Sequence, residues 1–249
     1  MDVSHQSNQQ PTADPVYRKL HRVFFAVCIL LAPLTLSLWF GLCPTSALDP
    51  ACPDQGSSLA VFTAFRTMNP QMMQLFLFLS LLAPYVYPLG YIGLGLLAMK
   101  RSPWLATLGI ACGFAGSIPW GAIAGQMALM DGMAQMGNNP IFVTIMQHFY
   151  SNWMVLAFAT GWVVGHLFGY VLLGIALLRA RVIPLWAAWL IIVSAPLMGP
   201  IAYGTNLGLL QILGYVLVFL GSVPAALAML KLKDEQTLVP LEEKPASAT

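Results

Sequence analysis

The segment VIPLWAAWLIIVSAPLMGPIAYGTNLGLLQILGYVLVFLGSVPAALAML, residues 182–230, contains no Asp, Glu, Lys or Arg. As one continuous helix it would run about 74 Å at about 1.5 Å per residue, against a hydrocarbon core of about 30 Å. It must therefore fold back. The break is written at Met198-Gly199-Pro200 and Tyr203-Gly204-Thr205-Asn206, a cluster of turn formers. Two membrane helices follow from this one stretch.

The rest of the chain reads the same way. Of 249 residues 58% are hydrophobic and 8% charged, with a mean hydropathy of +0.75, whereas a soluble domain carries about a quarter charged residues. Four more charge-free runs, Val23–Leu48, Thr67–Met99, Ser102–Met130 and Gly132–Leu178, complete the pattern. The reading is an all-α, polytopic membrane bundle of six transmembrane helices, at about 23–42, 73–99, 104–126, 153–178, 183–199 and 207–230. The transmembrane domain covers 17–233. Residues 1–16 and 234–249 are polar and Pro-containing and are expected to be disordered tails. The first span is taken as a retained helix, because its apolar run exceeds a signal-peptide core and no A-x-A site follows. Leu42 before Cys43 does not suit a lipid anchor.

Basic residues stay on the cytoplasmic side of a membrane. Arg18, Lys19 and Arg22 sit before the first span, Lys100, Arg101, Arg179 and Arg181 in short turns, and Lys231, Lys233 and Lys244 after the last. Both termini are thus expected inside, in a plasma or inner membrane. The outer loops 43–72 and 127–152 each hold a short amphipathic stretch, 58–65 and 140–150, expected as interfacial helices. In the second, Asn139 is a helix cap, Pro140 suits the first turn, and Ile141, Ile145 and Phe149 share a face. A net charge of +2 does not point to nucleic acid.

An internal helix-hairpin repeat is visible. Leu89-Gly90-Tyr91-Ile92-Gly93-Leu94-Gly95-Leu96-Leu97-Ala98-Met99-Lys100 aligns with Phe168-Gly169-Tyr170-Val171-Leu172-Leu173-Gly174-Ile175-Ala176-Leu177-Leu178-Arg179, and Pro103-Trp104 with Pro184-Leu185-Trp186. Both copies run outside to inside and back, a parallel duplication. This Gly-Tyr, apolar helix end, basic turn, Pro and Trp resembles multi-spanning bacterial membrane proteins of unassigned function, over residues 150–195. The resemblance implies a six-helix bacterial inner-membrane protein and brings no activity or catalytic residue.

His166 is the one strongly titratable side chain near the middle of a span, where ionisable groups are costly. Trp162, His166 and Tyr170, at four-residue spacing, form one stripe, with Gly161, Gly165 and Gly169 as a neighbouring close-packing groove. This stripe, with Gln126 and Gln211, is the candidate ligand site. A neutral His bonding across a helix contact is the alternative. Bis-His haem does not fit, since His148 lies 18 positions away, about 27 Å along a helix. A His/Met pair or a single ligand stays open.

Met127, Met130, Met133 and Met136 recur every third residue, in a pattern similar to the methionine motifs of copper-handling proteins. With His148 they are candidate Cu(I) ligands. A pliable Met-rich surface is the other reading. Cys43 and Cys52, both in the outer loop, are expected to form a disulfide. Gly109/Gly113 and Gly121/Gly125 are expected close-packing pairs.

No buried Asp, Glu, Lys or Arg is available for ion coupling, and no P-loop, Rossmann, H-E-x-x-H or G-x-S-x-G motif occurs. With no second positioned catalyst, binding is expected over turnover. Three functions remain: a bundle binding a hydrophobic small molecule, lipid or membrane-protein partner at its outer face; a carrier for a neutral or hydrophobic solute; and a membrane metal or redox protein.

Overall fold

The computed structural model describes residues 15–43, 59–137, 139–205 and 207–232. All regular structure among them is helical: α1 Pro15–Leu42, α2 Leu59–Thr67, α3 Pro70–Ala98, α4 Pro103–Gln135, α5 Pro140–Ser151, α6 Trp153–Ala180, α7 Leu185–Pro196, a π-helical turn Leu197–Ile201, α8 Ala202–Thr205 and α9 Gly208–Leu230. Five of these, α1, α3, α4, α6 and α9, are long and apolar enough to cross a membrane. The apolar segment Leu185–Ile201 is shorter. The chain is a multi-pass membrane helix bundle whose outer apolar side chains, such as Phe78, Ile118 and Leu220, are exposed and suit contact with lipid. The expectations for the extreme tails and for Cys52 lie outside the described residues.

The starts of three helices are dictated locally. Asn69, Asn139 and Asn152 each accept a backbone N–H of the following turn, from Gln71 and Met72, from Ile141 and from Met154, which meets donors the first turn leaves unpaired. Pro70 and Pro140 occupy the first helical position, where a missing N–H costs nothing. At the other end of α6 the chain leaves through Arg181 in the left-handed region, φ 52°. There the Arg101 guanidinium donates to the Ala180 carbonyl at 2.7 Å, a cation on a helix C-terminus. The α3–α4 and α6–α7 turns, which hold four basic residues, therefore meet at one end of the bundle.

Two helices exceed their expected bounds. α1 begins at Pro15, so Arg18, Lys19 and Arg22 lie on its first turns. α4 runs on to Gln135 instead of ending near 126, so the methionine run is helical. Gly132 costs only about 1 kcal/mol in a helix otherwise rich in Ala, Met and Gln. Burial of Met127, Met130, Met133 and Ala134 holds the added turns.

The long helices pack as a closed ring in the order α1, α3, α4, α6, α7, α9, with α9 returning to α1, and α3 touches α6 across the middle. The tightest seam joins α4 to α6. A Cβ on Gly116 would lie 2.5 Å from the His166 nitrogen, one on Gly165 2.8 Å from the Cys112 carbonyl oxygen, and one on Gly169 2.8 Å from Gly113 Cα. Small residues let backbones meet and gain dispersion contacts, which drive association where lipid removes the hydrophobic term. Gly165, Gly169 and Gly113 thus act as the sequence suggests, and Gly109 receives Leu173. Gly161, Gly121 and Gly125 do not: among the described residues no atom lies within 4 Å of a Cβ built on them.

α2 and α5 cover one end. α2 buries Val61, Phe62 and Phe65, and α5 buries Met146, with Phe142 against Phe62 at 6.2 Å between ring centroids. The other face of α5, Ile141, Ile145 and Phe149, is exposed.

Candidate functional site

His166 sits on α6 where α3 and α9 converge, and is 1% exposed. The Tyr91 hydroxyl lies 2.8 Å from its Nδ1 and the Tyr215 hydroxyl 3.2 Å from its Nε2. Tyr91 also reaches the His166 carbonyl at 3.3 Å. A neutral imidazole has one donor and one acceptor, so one tyrosine donates to the ring and the other accepts from it. Both nitrogens are engaged, and a metal or haem iron would have to displace a tyrosine.

The remaining walls are aromatic. Trp162, Tyr87 and Tyr170 stand 4.0, 5.0 and 5.1 Å from the imidazole centroid. The buried Tyr87 hydroxyl has no partner at hydrogen-bonding geometry among the described residues. The middle of the ring is filled by these side chains.

Three of the four tyrosines around His166 follow an apolar residue and a glycine: Leu89-Gly90-Tyr91 on α3, Phe168-Gly169-Tyr170 on α6 and Leu213-Gly214-Tyr215 on α9. In each the glycine lies against a neighbouring helix, Gly90 on Ala32 and Cys28, Gly169 on Gly113, Gly214 on Met198 and Ser194. The tyrosine beside it turns inward. The first two copies belong to the aligned hairpins; the third, unrecognised in the sequence reading, was legible there as a tripeptide.

A row of indoles leads away from the histidine: Trp162 to Trp120 at 4.8 Å and Trp120 to Trp39 at 5.0 Å. Trp39 donates to the Ser80 hydroxyl and Trp120 to the Ser80 carbonyl, 3.0 Å. These bonds satisfy two buried N–H groups in one step.

Trp162 has a second role. It forms the deep wall of a cavity of about 640 Å³ between α4 and α6, covered at its other end by Phe149 and Tyr150 of α5. Pro119, Ala122 and Ile123 of α4 and Val155, Ala159 and Val163 of α6 make its sides. Met154, Leu156 and Phe158, also on the wall, are more than half exposed, so the cavity opens laterally between helices. Its polar side chains are Gln126, Tyr150 and Thr160, and Gln126 donates to the Tyr150 hydroxyl.

The candidate ligand residues therefore divide. Trp162 and Gln126 line the groove; His166 and Tyr170 lie behind Trp162, inside the core. Gln211 is buried on α9 one turn from Tyr215, and among the described residues its amide oxygen has no hydrogen-bond partner. The candidate metal ligands divide too. Met127 and Met130 are fully buried and Met133 nearly so, while Met136 and His148 are exposed. Met130 sulfur accepts from Gln126 Nε2 at 3.9 Å. Among the described residues no three His, Cys, Asp or Glu side chains converge. Cys43 is disulfide-bonded; Cys52, the expected partner, lies outside the described residues. Cys28 and Cys112 are free.

Comparison with known proteins places no relative beside this chain: no family model, curated protein or solved structure matches it.

Proposed function

We propose that this chain is a six-span bacterial inner-membrane protein, both termini cytoplasmic, that binds a hydrophobic molecule or lipid in the groove between α4 and α6. The observation that carries the reading is the groove itself. Its volume, about 640 Å³, falls within the roughly 300–1,000 Å³ of small-molecule sites, and its walls are apolar with few polar groups. Beside the five long helices, the remaining span, fifth in chain order, is α7 with its π-helical continuation. In favour of the topology, Trp104 and Trp186 are exposed beside the basic turns, as interfacial anchors are.

Support for the duplicated hairpin comes from matched contacts. A Cβ on Gly95 would meet Ile110 Cδ1 and the Ala106 carbonyl; one on the aligned Gly174 would meet Ile192 Cγ1 and the Ala188 carbonyl. Ile110 and Ala106 correspond to Ile192 and Ala188 under the same offset that relates Trp104 to Trp186.

Native mass spectrometry of protein extracted from membranes and stripped stepwise tests the binding reading. A retained lipid-sized mass is expected on the unaltered chain and is expected to be lost in Ala159→Phe, which fills the groove from α6. Retention in Ala159→Phe at undiminished occupancy would remove the groove as the site.

The break in the fifth span favours a second reading, a carrier for a neutral or hydrophobic solute. Pro196 precedes the π-helical turn Leu197–Ile201 and Pro200 lies within it, and interrupted helices surround transport sites in many carriers. Flux of such a solute into reconstituted vesicles is the expected signature of this reading, and no flux across a broad solute panel would eliminate it. Copper or redox binding at the Met/His148 set gains no support from residues split between core and surface.

A further inference from the structure

The groove is not uniform along its length. Gln126 and Tyr150 stand at the end nearest α5, and Trp162, Pro119 and Val163 at the deep end. Along α4 the wall runs from Pro119 to Gln126, about 10 Å, and along α6 from Met154 to Val163, about 14 Å. Between the two ends the side chains are Ala, Ile, Val, Leu and Phe, apart from Thr160. Gln126 and Tyr150, bonded to each other, are the polar pair at the α5 end, while Thr160 and the Trp162 indole N–H stand singly toward the deep end.

Among the described residues no Asp, Glu, Lys, Arg or His lines the groove. Asp131, five positions beyond Gln126 on the same helix, is a carboxylate whose Oδ1 accepts from Gln135. His148, two positions before Tyr150, is exposed and outside the wall. An anionic end group placed at Gln126 would meet no cation among the lining residues and would leave water for a poorly compensated environment. An uncharged hydroxyl would find the Gln126 amide oxygen as acceptor, the amide N–H groups being directed to the Tyr150 hydroxyl and the Met130 sulfur.

We propose that the groove selects an amphiphile with a long apolar body and an uncharged hydrogen-bonding end, seated with that end at Gln126 and Tyr150 and its body directed toward Trp162. The proposal rests on the reading of the groove as a hydrophobic-ligand site and names the ligand's chemistry. A ligand hydroxyl adds a hydrogen bond to the Gln126 amide oxygen that an alkane cannot make, while the Gln126–Tyr150 bond stands in either case. The Trp162 ring that ends the groove also contacts His166, so the deep end of the groove abuts the core.

The test uses the full chain in lipid nanodiscs and three photoactivatable probes of equal chain length, carrying the same diazirine: a primary alcohol, the corresponding fatty acid and the corresponding alkane. Cross-links are mapped by peptide mass spectrometry at a pH where the acid is ionised. The alcohol is expected to label residues 119–126 and 154–163 at least about fivefold more than the acid or the alkane, the factor one hydrogen bond supplies. In the double variant Gln126→Leu with Tyr150→Phe, alcohol labelling is expected to fall to the alkane level while alkane labelling persists. Tyr150→Phe alone, with the ring retained, provides the same readout at smaller size if the double variant does not fold. Equal groove labelling by all three probes, or preference for the acid, overturns the proposed chemistry while leaving the groove as a binding site. Labelling of the groove no greater than in Ala159→Phe removes both the binding reading and this proposal.

Discussion

Replacing His166 by Ala leaves two tyrosine hydroxyls without their ring partner and opens a void among five aromatic side chains. A loss of about 2–4 kcal/mol is expected, read by reversible unfolding in mixed micelles, with groove occupancy retained in the folded fraction. Loss of the ligand at unchanged stability would give His166 a binding role instead of a structural one. Tyr91→Phe and Tyr215→Phe are each expected to cost about 0.5–1.5 kcal/mol, in keeping with interhelical bonds in membranes, and a double-mutant cycle with His166 should show coupling for both. Gln211 carries the opposite sign. Its buried amide oxygen has no hydrogen-bond partner among the described residues, so Gln211→Met is expected to be neutral or stabilising by about 1 kcal/mol in the same assay. The stripe Trp162, His166, Tyr170 was legible because residues four apart share a helix face. Tyr87, Tyr91 and Tyr215 come from other helices, and no spacing within one helix could assign them to His166.

At the level of the helix pair, the α4–α6 seam depends on glycine at positions where a side chain has nowhere to go. Gly116→Leu and Gly165→Leu are expected to abolish assembly of the folded bundle, since a Cβ there already meets the partner's backbone at 2.5 and 2.8 Å. Gly121→Leu, on an open surface of the same helix, is expected to leave thermal stability within about 0.5 kcal/mol of the unaltered chain. Yield of the monodisperse protein on size exclusion and its melting temperature separate the two cases. Equal tolerance at all three positions would mean that the seam is not the close contact described. Small-xxx-small spacing flagged Gly109, Gly113, Gly165 and Gly169 correctly, yet it flagged Gly121, Gly125 and Gly161 by the same rule. The rule reports that approach is allowed; which face meets a neighbour depends on how the helices are rotated in the ring. The reach of α4 through Gln135 was hidden for a related reason. Asp131 and Gly132 end the charge-free run, but the burial of Met130, Met133 and Ala134 comes from packing that no window along the chain contains.

For the molecule as a whole, a ring of helices whose middle is occupied by His166 and its tyrosines has its open space at the side, where α4 and α6 part toward lipid. Reporter tags at the two termini are expected to respond together as cytoplasmic, and a split result would remove the six-span topology, moving the C-terminus to the side opposite the two basic turns. Membrane residence, helical class and the positions of the long helices were determined by the sequence itself. A bilayer demands runs of about 20 apolar residues with every backbone group bonded inside the run, and both requirements are local. The Asn caps, the prolines at first helical positions and the turn between α3 and α4 are local in the same sense. Only the tertiary structure decided that three Gly-Tyr pairs from α3, α6 and α9 close on one histidine, that two indoles share Ser80, and that α5 covers a groove floored by Trp162. In lipid every outward face is as apolar as every inward one, so hydrophobic patterning does not say which side of a helix finds a partner. Shape and a few hydrogen bonds between distant segments make that choice.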